Sequence, residues 1–232
     1  MDNHVADNSI GFRNDGAAKS KGEKRKRLWT SMPKEVYEST LLKTVEYICD
    51  SSKCDMLLDG TEDKQFERAY AWLETYMAEK IGPAPAGVIH PVWAWYKLRG
   101  RNERPDLRWT EFRGYKKPMV LLELEIADGK VVLSDVEKWT CAQLNDSAWC
   151  ETDAELAWYY DNPNINQHER EAFKTKSWYR IFDIEKSENV QATFWKLISE
   201  DIRNVWSYNN RKNLRFCFRA GPFIIQINQF LL

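Results

Sequence analysis

The sequence predicts an α+β fold in which a central mixed, largely antiparallel sheet is flanked by helices. The clearest helix pattern covers Asp59–Lys80, where apolar residues recur at three- and four-residue steps. The clearest strand pattern covers Pro118–Ile126 (PMVLLELEI), where apolar and polar residues alternate. The remaining elements follow in the order β, α, β, α and then several strands with helices between them. This order is typical of α+β domains.

The chain is expected to begin with a tail. Residues 1–27 hold almost no large apolar side chains and end in a basic run, Lys19–Arg27. We therefore predict a disordered basic N-terminal tail over residues 1–27 and a single α+β domain over residues 28–232. The basic run is suited to contact nucleic acid or another anionic surface, and a purely solubilising role explains it as well.

The ordered part is predicted to start with a short strand from Leu28, followed by a helix that Ser31 caps. Pro33 falls in the first turn of that helix, where the missing N–H of proline is tolerated. Further strands are predicted, in chain order, at residues 44–50, Val92–Leu98, Pro118–Ile126, 131–135, Val190–Leu197, 214–221 and 223–230. Further helices are predicted at Asp59–Lys80, in part of Trp139–Cys150 and Thr152–Tyr160, and at Gln167–Phe182. Asp128-Gly129 is a hairpin signal, and a capped turn is predicted from Ser199.

Composition excludes several functional classes. The 232 residues are 43% apolar and 30% charged with a net charge of −1, which is typical of a globular protein and gives no overall attraction to polyanions. Five cysteines without a CxxC spacing argue against a disulfide framework and a zinc knuckle, and they fit a reducing, cytoplasmic location. The sequence has no run of 18 apolar residues and no apolar signal-peptide core, so we expect no membrane association.

The common catalytic motifs give no further lead. The three histidines are far apart in the sequence, and the patterns HExxH, GxSxG, GxxxxGKS/T and GxGxxG do not occur. We therefore predict no metal site. A ligand site has to be sought in local charge and aromatic content.

The candidate ligand site is the stretch His90–Trp109 (HPVWAWYKLRGRNERPDLRW) with the residues that follow it. Residues 97–117 include eight basic and three acidic side chains, a local net charge of 8 − 3 = +5 in a chain whose net charge is −1. Arginine suits phosphate and carboxylate groups, and aromatic faces suit a nucleobase or nicotinamide. Strand alternation puts Trp93 and Trp95 on one face and Tyr96 on the other. The two indoles are either core or a stacking platform.

Within this loop the segment RPDLR offers the phosphate ligands. Asp106 can orient Arg104 or Arg108 through a charge-assisted hydrogen bond, which preorganises a guanidinium group for a phosphate. The same residues also suit a simple salt-bridged loop corner. Together with the aromatic residues of the preceding strand, which would stack a base, the loop predicts a site for a nucleotide-like small molecule.

Glu123 and Glu125 form a pair of carboxylates on one face of a predicted strand. Paired acids are suited to general acid–base catalysis. A strand with one solvated acidic face has the same sequence pattern. The sequence alone leaves both interpretations open.

Several phrases read together resemble a known family. They are LWTSMPKEVYESTL, AYAWLETYMAEKIGPAP, PVWAWYKLRG, RPDLR, LLELEIADGKVVLSDVEKW and VQATFWKLISEDIRNVW. This series resembles the bacterial family known as domain of unknown function 3841 and covers about Leu28–Trp206. The family has no established activity, so the resemblance implies a fold and little chemistry.

A second resemblance is to ADP-ribosyltransferase-like folds. It rests on a short opening strand (Leu28–Thr30), a helix beneath it, and a late strand followed by a capped turn (Val190–Val205). In those enzymes the first strand offers a histidine or arginine to the nicotinamide ribose, and a late strand offers a glutamate that stabilises the oxocarbenium-like transition state. The matching positions are Arg27 or Trp29 on the first strand and Gln191 on the late strand.

The chain departs from the ADP-ribosyltransferase pattern at the late strand. Gln191 is followed by alanine and threonine, without the expected glutamate, and the pair Glu123 and Glu125 lies on a different strand. The resemblance implies NAD as the cofactor and puts Trp29 and Gln191 nearest the chemistry. Because of these departures, the resemblance supports nucleotide binding more than it supports group transfer.

Three functional hypotheses follow. The first is a nucleotide- or NAD-binding, ADP-ribosyltransferase-like enzyme that uses a basic, aromatic-lined pocket. The alternative is a non-catalytic binding module that grips nucleic-acid backbone or an acidic protein partner through the basic loop and the Lys19–Arg27 tail. The third is a structural interaction protein with every tryptophan buried.

Overall fold

A computed structural model of the chain describes residues 22–49, 65–113, 115, 117–147 and 149–209. The β-strands are, in chain order, β1 (Arg25–Pro33), β2 (Glu46–Tyr47), β3 (Val92–Lys97), β4 (Met119–Ala127), β5 (Val132–Asp135), β6 (Val190–Phe194), β7 (Leu197–Ile198) and β8 (Ile202–Tyr208). The α-helices are α1 (Lys34–Val36), α2 (Leu42–Thr44), α3 (Gln65–Ile81), α4 (Thr110–Arg113), α5 (Val136–Gln143), α6 (Asp153–Leu156) and α7 (Gln167–Ser177). The predicted α+β class is confirmed.

Short helical turns of other types complete the chain path. π-helical turns are formed by Tyr37–Leu41, which joins α1 to α2, and by Ala157–Asp161, which follows α6. 3-10 turns are formed by Asp128–Lys130, Trp178–Phe182 and Ser199–Asp201.

Six strands form one antiparallel sheet in the order β5-β6-β3-β1-β4-β8, and β2 pairs with β7 in a separate two-stranded sheet. The hairpin predicted at Asp128-Gly129 is wrong, because β4 pairs with β1 and β8 whereas β5 pairs with β6. Asp128–Lys130 instead forms the 3-10 turn that carries the chain from one side of the sheet to its opposite edge. A turn signal indicates that the chain reverses but does not select the strand that will pair.

The short connection from β4 to β5 requires the sheet to curl. The five residue steps from Ala127 to Val132 span at most about 17 Å, whereas the four strand spacings between β4 and β5 would measure about 19 Å in a flat sheet. Apolar side chains of one face, which we call the inner face, meet as a result in a single core. Its members include Leu28, Ala94, Leu122, Leu124, Ile126, Val131, Ala192 and Phe194.

β1 is longer than predicted at both ends. It begins at Arg25, inside the segment predicted as a tail, because Arg25 pairs with Ala127 of β4. It continues through Ser31, so Ser31 is a strand residue and not the helix cap that we predicted. Pro33, with φ −56° and ψ 134°, is the extended residue from which α1 begins.

Side-chain hydrogen bonds cap the N-termini of two other helices, α5 and α7. The side chain of Asp135 accepts a hydrogen bond from the backbone N–H of Lys138 at 2.8 Å and caps α5. Asn166 and Glu169 form a reciprocal capping box at the start of α7. Both patterns satisfy N–H groups that the first helical turn leaves without partners.

The face opposite the inner face carries Trp29, Trp93, Trp95 and Trp206, and we call it the tryptophan face. α3 packs on this face with apolar residues at helical spacing, which are Ala69, Tyr70, Leu73 and Met77. The loop between β3 and β4 covers another part of it. This loop contains the basic segment that the sequence singled out.

The end of the described chain differs from the prediction. The capped turn expected from Ser199 is limited to a 3-10 turn, and the chain then forms β8, an edge strand of the main sheet. The predicted strands at 214–221 and 223–230 lie outside the described residues, as do residues 1–21 of the predicted tail. Among the helices that the structure describes, none combines the length and the apolar character required of a membrane-spanning segment.

Candidate functional site

One row of side chains crosses the tryptophan face and takes one member from each strand of the main sheet. In sheet order the members are Ser134, Gln191, Trp95, Trp29, Glu123 and Asn204. Each is the registered partner of the next, and opposed residues in antiparallel strands share a face. We call this set the cross-sheet row. Trp29 and Gln191, the predicted catalytic positions, therefore flank Trp95 and lie about 10 Å apart, two strand spacings.

Three members of the cross-sheet row bring buried hydrogen-bond donors that lack partners. Trp29 is 1% exposed, Gln191 6% and Ser134 0%. Trp29 Nε1, Gln191 Nε2 and Ser134 Oγ make no hydrogen bond within the part of the chain that the structure describes. Each unsatisfied buried donor costs about 1–3 kcal/mol. Three of them within four adjacent strands favour binding of an acceptor-rich group, because such a group would remove several of these penalties together.

The loop after β3 closes over the centre of the cross-sheet row. In this loop, which we call the covering loop, the side chains that pack with Trp29 and Trp95 are Leu98, Leu107, Trp109 and Phe112. Val136, the first residue of α5, joins them. Trp95 is 5% exposed, so of the two interpretations that the sequence left open, core packing describes this conformation. A ligand that reaches the row has to displace part of this cover.

Three arginine–tryptophan cation–π pairs lie in or beside the covering loop. The guanidinium carbon lies over the indole centroid at 5.2 Å for Arg27 and Trp29, 4.3 Å for Arg99 and Trp109, and 5.1 Å for Arg104 and Trp206. Exposed contacts of this kind stabilise by about 0.5–1 kcal/mol. The structure thus combines arginine with aromatic rings, although the rings differ from those that we predicted.

Asp106 pairs with Arg108, one of the two arginine partners that the sequence left open. Arg108 donates from Nη2 to Asp106 Oδ2 at 2.6 Å and from Nε at 2.9 Å. Side-chain and backbone hydrogen bonds from Arg108 lower the pKa of Asp106 to about 2. The Arg108 side chain is 83% exposed, so this pair points into solvent, whereas Arg104 lies on Trp206 beside the cross-sheet row.

Other cations of the basic segments are also paired. Their ion pairs are Arg99–Glu111 (3.2 Å), Arg101–Glu103 (3.2 Å), Arg25–Asp201 (2.7 Å) and Lys26–Asp128 (3.2 Å). The last two belong to β1, in the part of the Lys19–Arg27 run that the structure describes. The positive charge available to a nucleic-acid backbone is therefore smaller than the sequence count indicates.

Trp93 and Tyr96 lie apart from the cross-sheet row. Trp93 is buried beneath the helices, with its ring centroid 6.1 Å from that of Tyr70 and 5.4 Å from that of Trp139. Trp139 Nε1 also lacks a hydrogen-bond partner among the described residues, but it belongs to this helical cluster. Tyr96 lies on the opposite face, where Lys26 Nζ is 5.8 Å from its ring centroid. Of the three predicted stacking residues, only Trp95 joins Trp29 and Gln191.

Glu123 and Glu125 share the tryptophan face but differ in their surroundings. Glu125 Oε2 accepts a hydrogen bond from Arg203 Nε at 2.8 Å, and its side chain is 33% exposed. Glu123 Oε2 accepts one from Asn204 Nδ2 at 2.6 Å, and its side chain is 16% exposed. Neither carboxylate is a freely solvated strand residue.

Other chemistries have less support in the described residues. Within them, no group of three or more histidine, cysteine, aspartate or glutamate side chains is arranged to hold a metal ion. Burial raises the pKa of the Cys141 thiol, with the charge of Asp146 acting in the same direction. This favours the thiol over the nucleophilic thiolate.

Sequence reasoning missed Ser134 and Trp206 as members of this region. Alternation along β5 indicates that Ser134 shares a face with Val132, but only the strand order brings that face beside Gln191. Trp206 lay in a segment predicted to be a capped turn. Its position opposite Leu121 depends on β8 being a strand.

The fold and the cross-sheet row define a single class: an α+β protein whose curled antiparallel sheet carries a covered, donor-lined aromatic face. The family model described as Domain of unknown function (DUF3841) matches residues 27–203, and the chain belongs to this family. The match confirms the family resemblance seen in the sequence. Comparisons with curated proteins and with solved structures found no match.

Proposed function

We propose that this chain binds a nucleotide-type ligand, with NAD as the candidate, on the tryptophan face and acts as an ADP-ribosyltransferase-like enzyme. The observation that carries the proposal is the cross-sheet row, where Trp29 and Gln191 flank Trp95 and offer buried donors without partners. The resemblance to ADP-ribosyltransferase-like folds requires a first-strand and a late-strand residue to act on one ligand. β1 and β6 both pair with β3, so Trp29 and Gln191 lie on the two sides of one strand. This arrangement supports the requirement.

The chemistry of the donors favours particular parts of NAD. Indole N–H, amide N–H and hydroxyl groups donate to the oxygens of a carboxamide or a ribose. Trp29 and Trp95 bring flat faces suited to a ring. We assign the nicotinamide ribose end of the ligand to Trp29, Trp95 and Gln191.

The arginine residues around the covering loop are suited to the phosphates. Arg104, on Trp206, is the nearer candidate, and Arg108, held by Asp106, is the second. A guanidinium group fixed by a carboxylate or an indole loses less freedom when it binds a phosphate.

Entry of the ligand requires the covering loop to move. The backbone hydrogen bonds of its outer part are local, from Trp109 N to Asp106 O at 2.9 Å and from Phe112 N to Trp109 O at 3.0 Å. The loop can therefore lift as a unit while those bonds stay formed. One anchor of the loop lies at Asn102, whose carbonyl accepts from Arg27 at 2.8 Å, and another lies at Gly100, whose N–H donates to Glu188 O at 2.8 Å.

A thermal-shift screen of NAD, ADP-ribose, mononucleotides and short oligonucleotides tests the proposal. A ligand at one hundred times its dissociation constant adds about 2.7 kcal/mol, which raises Tm by roughly 5–10 °C for a chain of this size. NAD or ADP-ribose is expected to give the shift, with modest dependence on salt. A shift from oligonucleotides alone that falls steeply with salt would favour the nucleic-acid binding module.

Two loop variants test the phosphate assignment. Arg104→Ala and Arg108→Ala should each reduce the NAD-induced shift, whereas Arg101→Ala should not. Arg101 is the matched control because it lies in the same loop, is 70% exposed and is paired with an acid two residues away. An equal NAD-induced Tm shift in all three variants and the wild type would show that the loop is not part of the ligand site.

A further inference from the structure

The cross-sheet row continues past Trp29 to a carboxylate. We propose that Glu123 is the catalytic carboxylate of this site, a role that the late strand cannot supply because its residue is Gln191. The inference rests on the proposed function and deepens it. It moves the acid from β6, at one side of Trp29, to β4, at the other.

The chemistry of NAD cleavage requires such a group. The glycosidic C–N bond breaks, and nicotinamide leaves with the bonding electron pair, which neutralises its ring. The ribose becomes oxocarbenium-like, and the oxygen of water or of an acceptor hydroxyl forms the new C–O bond. A carboxylate stabilises the positive charge and takes the proton of that hydroxyl. An amide such as that of Gln191 is neutral and does not accept a proton near neutral pH.

The register brings Glu123 to the required place. Glu123 is directly opposite Trp29, and the Cβ atoms of such a pair are about 4.5–5.5 Å apart. A ribose held by the Trp29 indole would therefore lie within reach of the Glu123 carboxylate. The row offers donors on one side of Trp29 and an acceptor on the other.

The hydrogen bonding of Glu123 leaves one oxygen for a ligand. Oε2 is fixed by Asn204 Nδ2 at 2.6 Å. Oε1 lies 3.9 Å from Arg27 Nε, beyond hydrogen-bond distance, and it accepts no hydrogen bond from the described residues. The carboxylate is thus oriented through one oxygen, while the other lies within ion-pair distance of the Arg27 guanidinium.

Nearby acids are less suited to the role. Glu125 is bound by Arg203 at 2.8 Å, one position further along β4 on this face. Asp135 caps α5 through one oxygen and accepts from the Ser187 hydroxyl through the other. With 16% of its side chain exposed, Glu123 is accessible from solvent, whereas Trp29 is not.

The test measures nicotinamide release from NAD by the full chain, with NAD binding followed by thermal shift. Glu123→Gln keeps an acceptor for Asn204 and removes the charge. We expect its kcat to fall by about 10²–10⁴-fold, with the NAD-induced shift retained. Glu125→Gln is the matched control on the same strand and face, and its rate should stay within about twofold of wild type.

Each outcome has a separate meaning. An active wild type with an equally active, folded Glu123→Gln variant would overturn the role of Glu123 alone. A wild type that neither binds NAD nor releases nicotinamide would overturn the proposed function and this role with it. If Glu123→Gln does not fold, Glu123→Asp keeps the charge but withdraws the carboxylate by one methylene, and an unchanged kcat in that variant would overturn the assignment.

Discussion

Replacing Gln191 by methionine should stabilise the protein while weakening its ligand site. The change removes a buried amide whose Nε2 has no partner among the described residues and keeps a side chain of similar length. An unsatisfied donor costs about 1–3 kcal/mol. At the lower end of that range, Tm of the unliganded protein should rise by about 2–4 °C.

The assay is thermal and urea unfolding with and without NAD, and Thr30→Val is the matched control. Thr30 is also buried in the sheet, but its Oγ1 donates to the Trp93 carbonyl at 2.9 Å. Thr30→Val should therefore destabilise by about 1 kcal/mol. The NAD shift should disappear in Gln191→Met and persist in Thr30→Val. A Gln191→Met variant destabilised as much as Thr30→Val would contradict this prediction, since the amide would then be satisfied in the free protein.

Two further predictions concern the covering loop. Because hydrogen bonds from Arg108 lower the pKa of Asp106 to about 2, the stabilisation from this pair should be complete above the ordinary carboxyl pKa of about 3.9 and be lost as pH falls through about 2. A carboxyl-carbon NMR titration should show that midpoint rising in Arg108→Ala, and an unchanged midpoint would contradict the assigned cause. Gly100 has φ +76° and anchors the loop from its N–H to Glu188 O at 2.8 Å, so Gly100→Ala should destabilise by about 1–2 kcal/mol. Gly129→Ala, whose φ is not positive and whose Cβ would meet nothing within 4 Å, should have little effect, and equal unfolding curves for the two variants would count against a strained loop anchor.

The sequence predicted elements better than their pairing. The alternation in PMVLLELEI correctly predicted β4, because the inner face requires Leu122 and Leu124 to point one way. The partner of β4 depended on contacts with β1, nearly a hundred residues away. Local turn chemistry at Asp128-Gly129 carries no information about that contact, and the hairpin prediction failed for this reason.

In the candidate site, too, local features were predictable from the sequence and long-range contacts were not. Trp29 and Gln191 were named from layout, and the strand order brings them to one row. Trp93 was named from the same alternation as Trp95, yet it packs under α3 and α5, because which part of a face a helix covers is a tertiary property. The pairing of Asp106 with Arg108 was predictable from their spacing of two, since it is a local contact.

The most direct measurement for the central claim follows the indole N–H signals of the eleven tryptophans by NMR during titration with NAD. The Trp29 signal is assigned by its loss in Trp29→Phe. We predict that the Trp29 signal shifts saturably, because its Nε1 gains an acceptor from the ligand. A titration in which NAD binds but leaves Trp29 unchanged, while an exposed indole such as Trp149 (58% exposed) shifts, would contradict it.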